Sequence, residues 1–159
     1  MNQAHREYFE LFNEISIIAQ LTRTIMEQRL PDGMTQPHFS VLNHLVRLGD
    51  SVSPRDLSCA FQVPKSSMTN TLAGLEKRGL IEVRPNPKDA RGKYIYLTRA
   101  GRDFREQAID ALAPNIDEIA EQVSLHEVHV LLPALRGLRQ VLDENRVTQP
   151  NGASSPTES

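Results

Sequence analysis

One stretch limits the choice of folds more than any other. From Val63 the chain reads VPKSSMTNTLAGLEKRGLIEVRPNPKDARGKYIYLT, ending at Thr98. The spacing predicts a helix that opens polar and closes on Gly79. An apolar strand from Leu80 to Arg84 follows, and Tyr94 to Leu97 reads as a second strand. The segment from Pro85 to Lys93 is rich in cations and reads as a charged loop, too long for a tight hairpin. Few architectures accommodate a polar-faced helix running straight into a small basic ribbon.

The charge distribution agrees with that reading. From Lys65 to Arg105 there are ten Lys/Arg against four Asp/Glu, so the stretch carries +6. The whole chain carries -2, which leaves -8 for the remainder. A basic middle between acidic flanks is an electrostatic footprint for a polyanion. Trp is absent and aromatics are 5% of the chain, which argues against a reader that stacks single-stranded bases on aromatic platforms. One cysteine rules out an intrachain disulfide and suits a cytoplasmic location. Glu7, Glu10 and Glu14 among the first apolar residues argue against a signal or transit peptide. No apolar run approaches the ~20 residues of a membrane span, so no membrane partner is expected.

Residues 8–30 are expected to form one long helix, with Leu11, Phe12, Ile15, Ile18 and Ile25 near the helical template. Phe9, Ile17 and Leu21 widen the stripe, as in a helix with two neighbours. Pro31-Asp32-Gly33 ends it. Thr35 is the expected cap of the next helix, with Phe39, Leu42, Leu45 and Val46 inward and Gly49 as its stop. Ser53-Pro54-Arg55-Asp56 starts a short helix to about Ala60, with Leu57 and Ala60 inward. Met68, Leu72 and Leu75 should pack the following helix onto it. Ser66, Ser67, Thr69, Asn70 and Ala73 then lie on the other side. Two helices joined by a tight turn, the second with a polar N-terminal half, form a helix-turn-helix. Such an element can enter a major groove while the ribbon beside it acts as a wing.

Thr98 should cap a helix from Arg99, with a kink or break at Pro114. Ser124 and Glu127 form a capping box for a last helix carrying Leu131, Leu135, Leu138 and Leu142. Pro133 inside it should cost about 3 kcal/mol in an undistorted helix, so a bend is expected. Residues 147–159 are polar and Pro/Ser-rich and read as a disordered tail.

These motifs together resemble the MarR family of winged helix-turn-helix regulators. The matching parts are Leu75-Glu76-Lys77-Arg78-Gly79-Leu80-Ile81, Arg84, Asn86-Pro87-Lys88-Asp89-Ala90-Arg91 and Leu97-Thr98-Arg99-Ala100-Gly101. The resemblance spans residues 8–145. It implies a mainly α fold with a small two- or three-stranded β-wing. Helical dimerisation segments at 1–33 and 99–146 would flank a winged domain at 34–98. It also implies a homodimer on double-stranded DNA, with two recognition helices on a pseudo-palindrome, working as a ligand-responsive repressor.

The DNA-contact candidates are Lys65, Ser66, Ser67, Thr69, Asn70, Arg84, Lys88, Asp89, Arg91 and Lys93. Ser and Thr can donate or accept, and Asn suits an adenine edge. Arg91 resembles the wing arginine that enters a narrow minor groove, with Asp89 orienting it. Lys65, Arg84, Lys88 and Lys93 are phosphate neutralisers. Relatives often carry a basic residue where Asn70 stands. The resemblance also implies a small aromatic or lipophilic effector, with Phe12, Ile15, His38, Phe39 and Leu42 as candidate lining, and no cofactor.

Cys59 is expected to be a small buried residue. His38 and His44, like His126 and His129, fall short of the three or four convergent ligands a metal needs. No catalytic motif appears, so a non-enzyme is expected. The alternatives are a winged protein-interaction module, a sequence-independent architectural DNA binder, and a thiol- or metal-sensing variant.

Overall fold

The computed structural model describes residues 2–49, 51–87 and 89–148. The chain divides into two compact units, one ending at Asn115 and the other starting at Ile116. The first contains α1 (Gln3–Arg29), α2 (Gln36–Leu48), α3 (Pro54–Ala60), α4 (Lys65–Lys77), β1 (Ile81–Asn86), β2 (Asp89–Leu97) and α5 (Arg99–Asp110). Helix α6 (Ala113–Ala120) crosses the division, and α7 (Leu125–Thr148) belongs to the second unit. The fold is mainly α with a small antiparallel wing, as the sequence predicts.

The first helix starts five residues before the expected position. Asn2 caps it by accepting from the His5 N–H at 2.9 Å, and Gln3 bonds Glu7 one turn on. These polar contacts extend the helix without any apolar periodicity to announce them. It stops at Leu30, which is extended because Pro31 follows. No residue of α1 is buried within the single chain.

The core of the first unit lies between α2, α3, α4 and the wing. Leu42, Leu45, Leu57, Leu75, Ile81 and Ile95 have essentially no exposed surface. Each such side chain contributes about 1.5–3 kcal/mol of burial. Val41, absent from the predicted inward set, is also buried. Of the two residues expected inward on α3, Leu57 is buried and Ala60 only half-buried, while Ser58 is buried instead. The Ser58 hydroxyl donates to the Arg55 carbonyl at 2.8 Å, which satisfies it there.

The wing corrects the expected charged loop. Both strands run far into it, Asn86 pairs with Asp89, and only Pro87 and Lys88 separate them. It is a tight hairpin, and the register slips between Pro85 and Asn86. That bulge absorbs the residues that make the segment look too long. A third edge is a single bridge: Ile95 donates to Val52 at 2.9 Å, and Ser51 donates to Ile95 at 3.2 Å.

Thr98 caps α5 by accepting from Gly101 N–H at 3.0 Å. Arg105 ties α5 to α2 with two bonds to the Asn43 side-chain oxygen, at 2.9 and 3.1 Å. The helix ends at Asp110, and Pro114 sits in the first turn of α6, so the expected interruption is a break.

In the second unit the Ser124–Glu127 capping box forms, at 2.7–3.3 Å. Those bonds hold the Glu127 carboxyl below the usual carboxylate range. Helix α7 is continuous through Pro133 and includes Val147 and Thr148, two residues expected in the tail. After Leu142 the first helix breaker is Pro150, so composition placed the boundary too early. The rest of that tail, 149–159, lies outside the described residues.

Candidate nucleic-acid interface

Ser53 starts the helix-turn-helix. Its hydroxyl accepts from the Asp56 N–H at 3.1 Å and donates to the Asp56 carboxylate at 2.7 Å. The turn after α3 is closed by Val63 N–H on the Ser58 carbonyl, at 3.1 Å. Gln62 takes a positive φ of 52° there. Helix α4 then begins behind Pro64, which offers no side-chain cap. Its first-turn N–H groups therefore face outward for an anion to meet.

Met68, Leu72 and Leu75 are buried, as predicted. Lys65, Ser66, Ser67, Thr69, Asn70 and Ala73 are all exposed. Residues 66, 69, 70 and 73 share one stripe at helical spacing. Thr69 donates its hydroxyl hydrogen to the Lys65 carbonyl at 2.8 Å, so outward it offers lone pairs and a methyl group.

The back of α4 is fixed by contacts that sequence reasoning missed. A Cβ on Gly74 would lie 2.6 Å from His38 Nε2, so the glycine is the seat of that ring. His38 Nδ1 accepts from the Thr35 N–H at 3.1 Å and lies 2.8 Å from its hydroxyl, forming the cap of α2. Arg78 donates to the Asp32 carbonyl at 2.9 Å and covers Gly33. The pair His38 and Gly74 carries no sequence signal, because neither residue type announces its partner.

On the wing, Arg84 donates through Nε and Nη2 to the Glu82 carboxylate, at 2.9 and 2.5 Å. Its guanidinium carbon sits 4.7 Å over the Tyr96 ring. The i, i+2 spacing of Glu82 and Arg84 in a strand was the available signal. Lys93 is exposed opposite Pro85. Lys88 lies outside the described residues, as do the side chains of Asp89 and Arg91, whose backbone belongs to β2.

The comparisons with known proteins converge on this geometry. The family model described as MarR family matches residues 32–92, from just after α1 into β2. Among solved structures, wild-type MarR from E. coli in its apo form is 25% identical, with a TM-score of 0.68. That match covers 80% of this chain and 96% of the other. The winged segment matches the MarR family, and the structure as a whole shares the fold of that solved member. The transcriptional regulator BldR from Sulfolobus solfataricus shares the fold at a TM-score of 0.71 and 24% identity, over 91% of this chain and 99% of BldR. A mutant E. coli MarR complexed with operator DNA shares it at 0.65 and 24% identity, over 86% of this chain and 99% of that one.

The other candidate residues fall in varied settings. Phe39 and Leu42 are buried in the core, Ile15 and His38 are half-buried, and Phe12 is exposed. Cys59 is exposed, which corrects the expectation of a buried small residue. The short α3 places Ser58 inward, and the next residue rotates about 100° toward solvent. His126 and His129 are exposed on α7. Among the described residues no three His, Cys, Asp or Glu cluster as metal ligands. No helix among them is long and apolar enough to cross a membrane.

Two histidines are expected to give this domain a pH dependence. Burial, then the neighbouring Arg78, holds His38 below the ordinary histidine value. Burial, then Arg47, does the same to His44, whose ring lies 5.2 Å from that of Phe61. The unfolded chain therefore takes up protons first as pH drops below about 6.5. The stability contributed by the neutral rings is complete above that value and lost as pH falls through the lowered folded values. Urea unfolding at pH 7.5 and 5.5 should show the wild type losing stability on acidification. A His38→Gln, His44→Gln double variant should lose less, and an equal loss in both would remove the histidines from the explanation.

Proposed function

We propose that this chain is a homodimeric, sequence-specific DNA-binding repressor whose operator affinity falls when a small aromatic or lipophilic effector binds. One observation carries the reading. Helix α4 buries Met68, Leu72 and Leu75 and turns an uncapped N-terminus and a row of small polar side chains to solvent, beside a cationic hairpin. That combination suits a major groove flanked by phosphates, and it is the fold in which a mutant E. coli MarR was solved with operator DNA.

Lys65, Ser66, Ser67, Thr69 and Asn70 would meet the groove and its rim. Arg84, held by Glu82 and Tyr96, would meet phosphate with its guanidinium already oriented. Lys88, Arg91 and Lys93 would carry the wing, with Asp89 orienting Arg91. The helical segments 1–33 and 99–146 would form the dimer. In its support, α1 leaves Tyr8, Phe9 and Ile18 exposed, and α7 leaves Leu131, Leu135 and Leu142 exposed. Monomers rarely show apolar surface on that scale. For the effector, Phe12, Ile15 and His38 retain surface, while Phe39 and Leu42 would form the apolar floor. An effector that favours a DNA-incompetent spacing must itself bind less tightly when DNA is present.

The test is a titration against the DNA upstream of the chain's own gene, at two salt concentrations, with random-sequence competitor. Competitor-resistant binding is expected. Arg91→Ala should weaken it by about tenfold for each half-site. Absence of binding to either DNA at low salt would sink the reading.

A further inference from the structure

We propose that each half-site presents A·T pairs beneath the middle of α4, with Asn70 bonded to an adenine edge and the methyl groups of Thr69 and Ala73 against thymine methyls. The inference rests on the regulator reading and specifies the DNA that the same surface takes.

Guanine is read chiefly by Arg or Lys, donating to O6 and N7. Helix α4 contains no arginine, and its lysines stand at its two ends, Lys65 and Lys77. Those ends are about 18 Å apart at 1.5 Å per residue, so both lysines flank the central bases. The next cation, Arg78, is spent on the Asp32 carbonyl and packed over Gly33. What remains at the centre is the stripe of Ser66, Thr69, Asn70 and Ala73, every member exposed.

The chemistry of that stripe favours one base pair. Asn70 offers a carboxamide whose N–H and oxygen match adenine N7 and N6. Thr69 has its hydroxyl hydrogen in the bond to Lys65, so it does not donate to guanine O6 or N7; its lone pairs accept equally from adenine N6 or cytosine N4, and its contribution to the choice is the methyl group. Its methyl and that of Ala73 are the apolar groups that thymine C5-methyls meet. Ser66 lies at the N-terminal end of the stripe, next to Lys65, where phosphate contact is the expected role.

The experiment is selection of the full-length protein against a random duplex library, followed by binding titrations on the enriched sequence. The wild-type selection should enrich a half-site with adjacent A·T pairs. Selection with Asn70→Ala should relax preference at one of those pairs, and that pair marks the position under α4. Exchanging thymine for uracil there removes only the methyl group and should weaken binding severalfold. Loss of the adenine partner in Asn70→Ala should cost about tenfold to a hundredfold. A G·C pair at the position that Asn70→Ala relaxes would overturn the base assignment while leaving the regulator reading intact. So would affinity unchanged by both the uracil exchange and Asn70→Ala. A pool that stays random would instead overturn the regulator reading and this inference with it.

Discussion

Gly101→Ala is expected to destabilise the winged domain by about 3 kcal/mol, at the upper end of ordinary overpacking. Helix propensity alone gives the opposite sign, since Ala is favoured over Gly in a helix by roughly 1 kcal/mol. Position decides. Gly101 is buried at the third residue of α5, and a Cβ there would lie 2.1 Å from the Leu80 carbonyl oxygen and 2.7 Å from Leu97. The obstacle is backbone, and it is pinned. Thr98 donates its N–H to that same Leu80 carbonyl at 3.2 Å and its hydroxyl to the Gly79 carbonyl at 2.7 Å. Relief requires breaking the joint that seats α5 against the start of the wing. Thermal unfolding should show a drop in Tm of roughly 10 °C. Gly79→Ala makes a useful contrast. Gly79 has φ +68° but open space around it, so only the backbone penalty of about 1–2 kcal/mol applies. A Gly101→Ala variant as stable as the wild type would show that the joint yields.

That glycine illustrates what was legible in the chain and what was not. The caps at Ser53, Thr98 and Ser124 could be read because each satisfies a helix N-terminus within a few residues. The polar and apolar sides of α4 followed from periodicity, and the structure separates them as expected. Contacts between distant segments were not legible. Gly74 is small because His38, thirty-six positions earlier, lies across it. Arg84 reads as one more cation until Glu82 and Tyr96 are seen to hold it. The hairpin looked like a loop because Pro, Asn and Gly suggest irregular chain, whereas a bulge takes up the slack. Cys59 was misplaced because a seven-residue helix has too few turns for its inward face to be read from pattern.

Leu135→Glu should convert the proposed dimer to monomers, and the single chain makes the outcome diagnostic. Leu135 is 44% exposed on α7, so within one subunit a carboxylate there remains hydrated and should cost little. In an apolar interface between two subunits, the same carboxylate loses its water with no partner. Twofold symmetry then imposes that penalty at both copies, several kcal/mol in all. Ile18→Glu on α1, where the side chain is 56% exposed, tests the other apolar helix by the same logic. Sedimentation should report half the wild-type mass, with helical circular dichroism retained. Operator affinity should fall by about 10²–10⁴, because one winged domain then binds one half-site without the effective concentration supplied by its tethered twin. A Leu135→Glu chain that stays dimeric with full operator affinity would place the dimer contact elsewhere and leave the exposed leucines of α7 needing another partner.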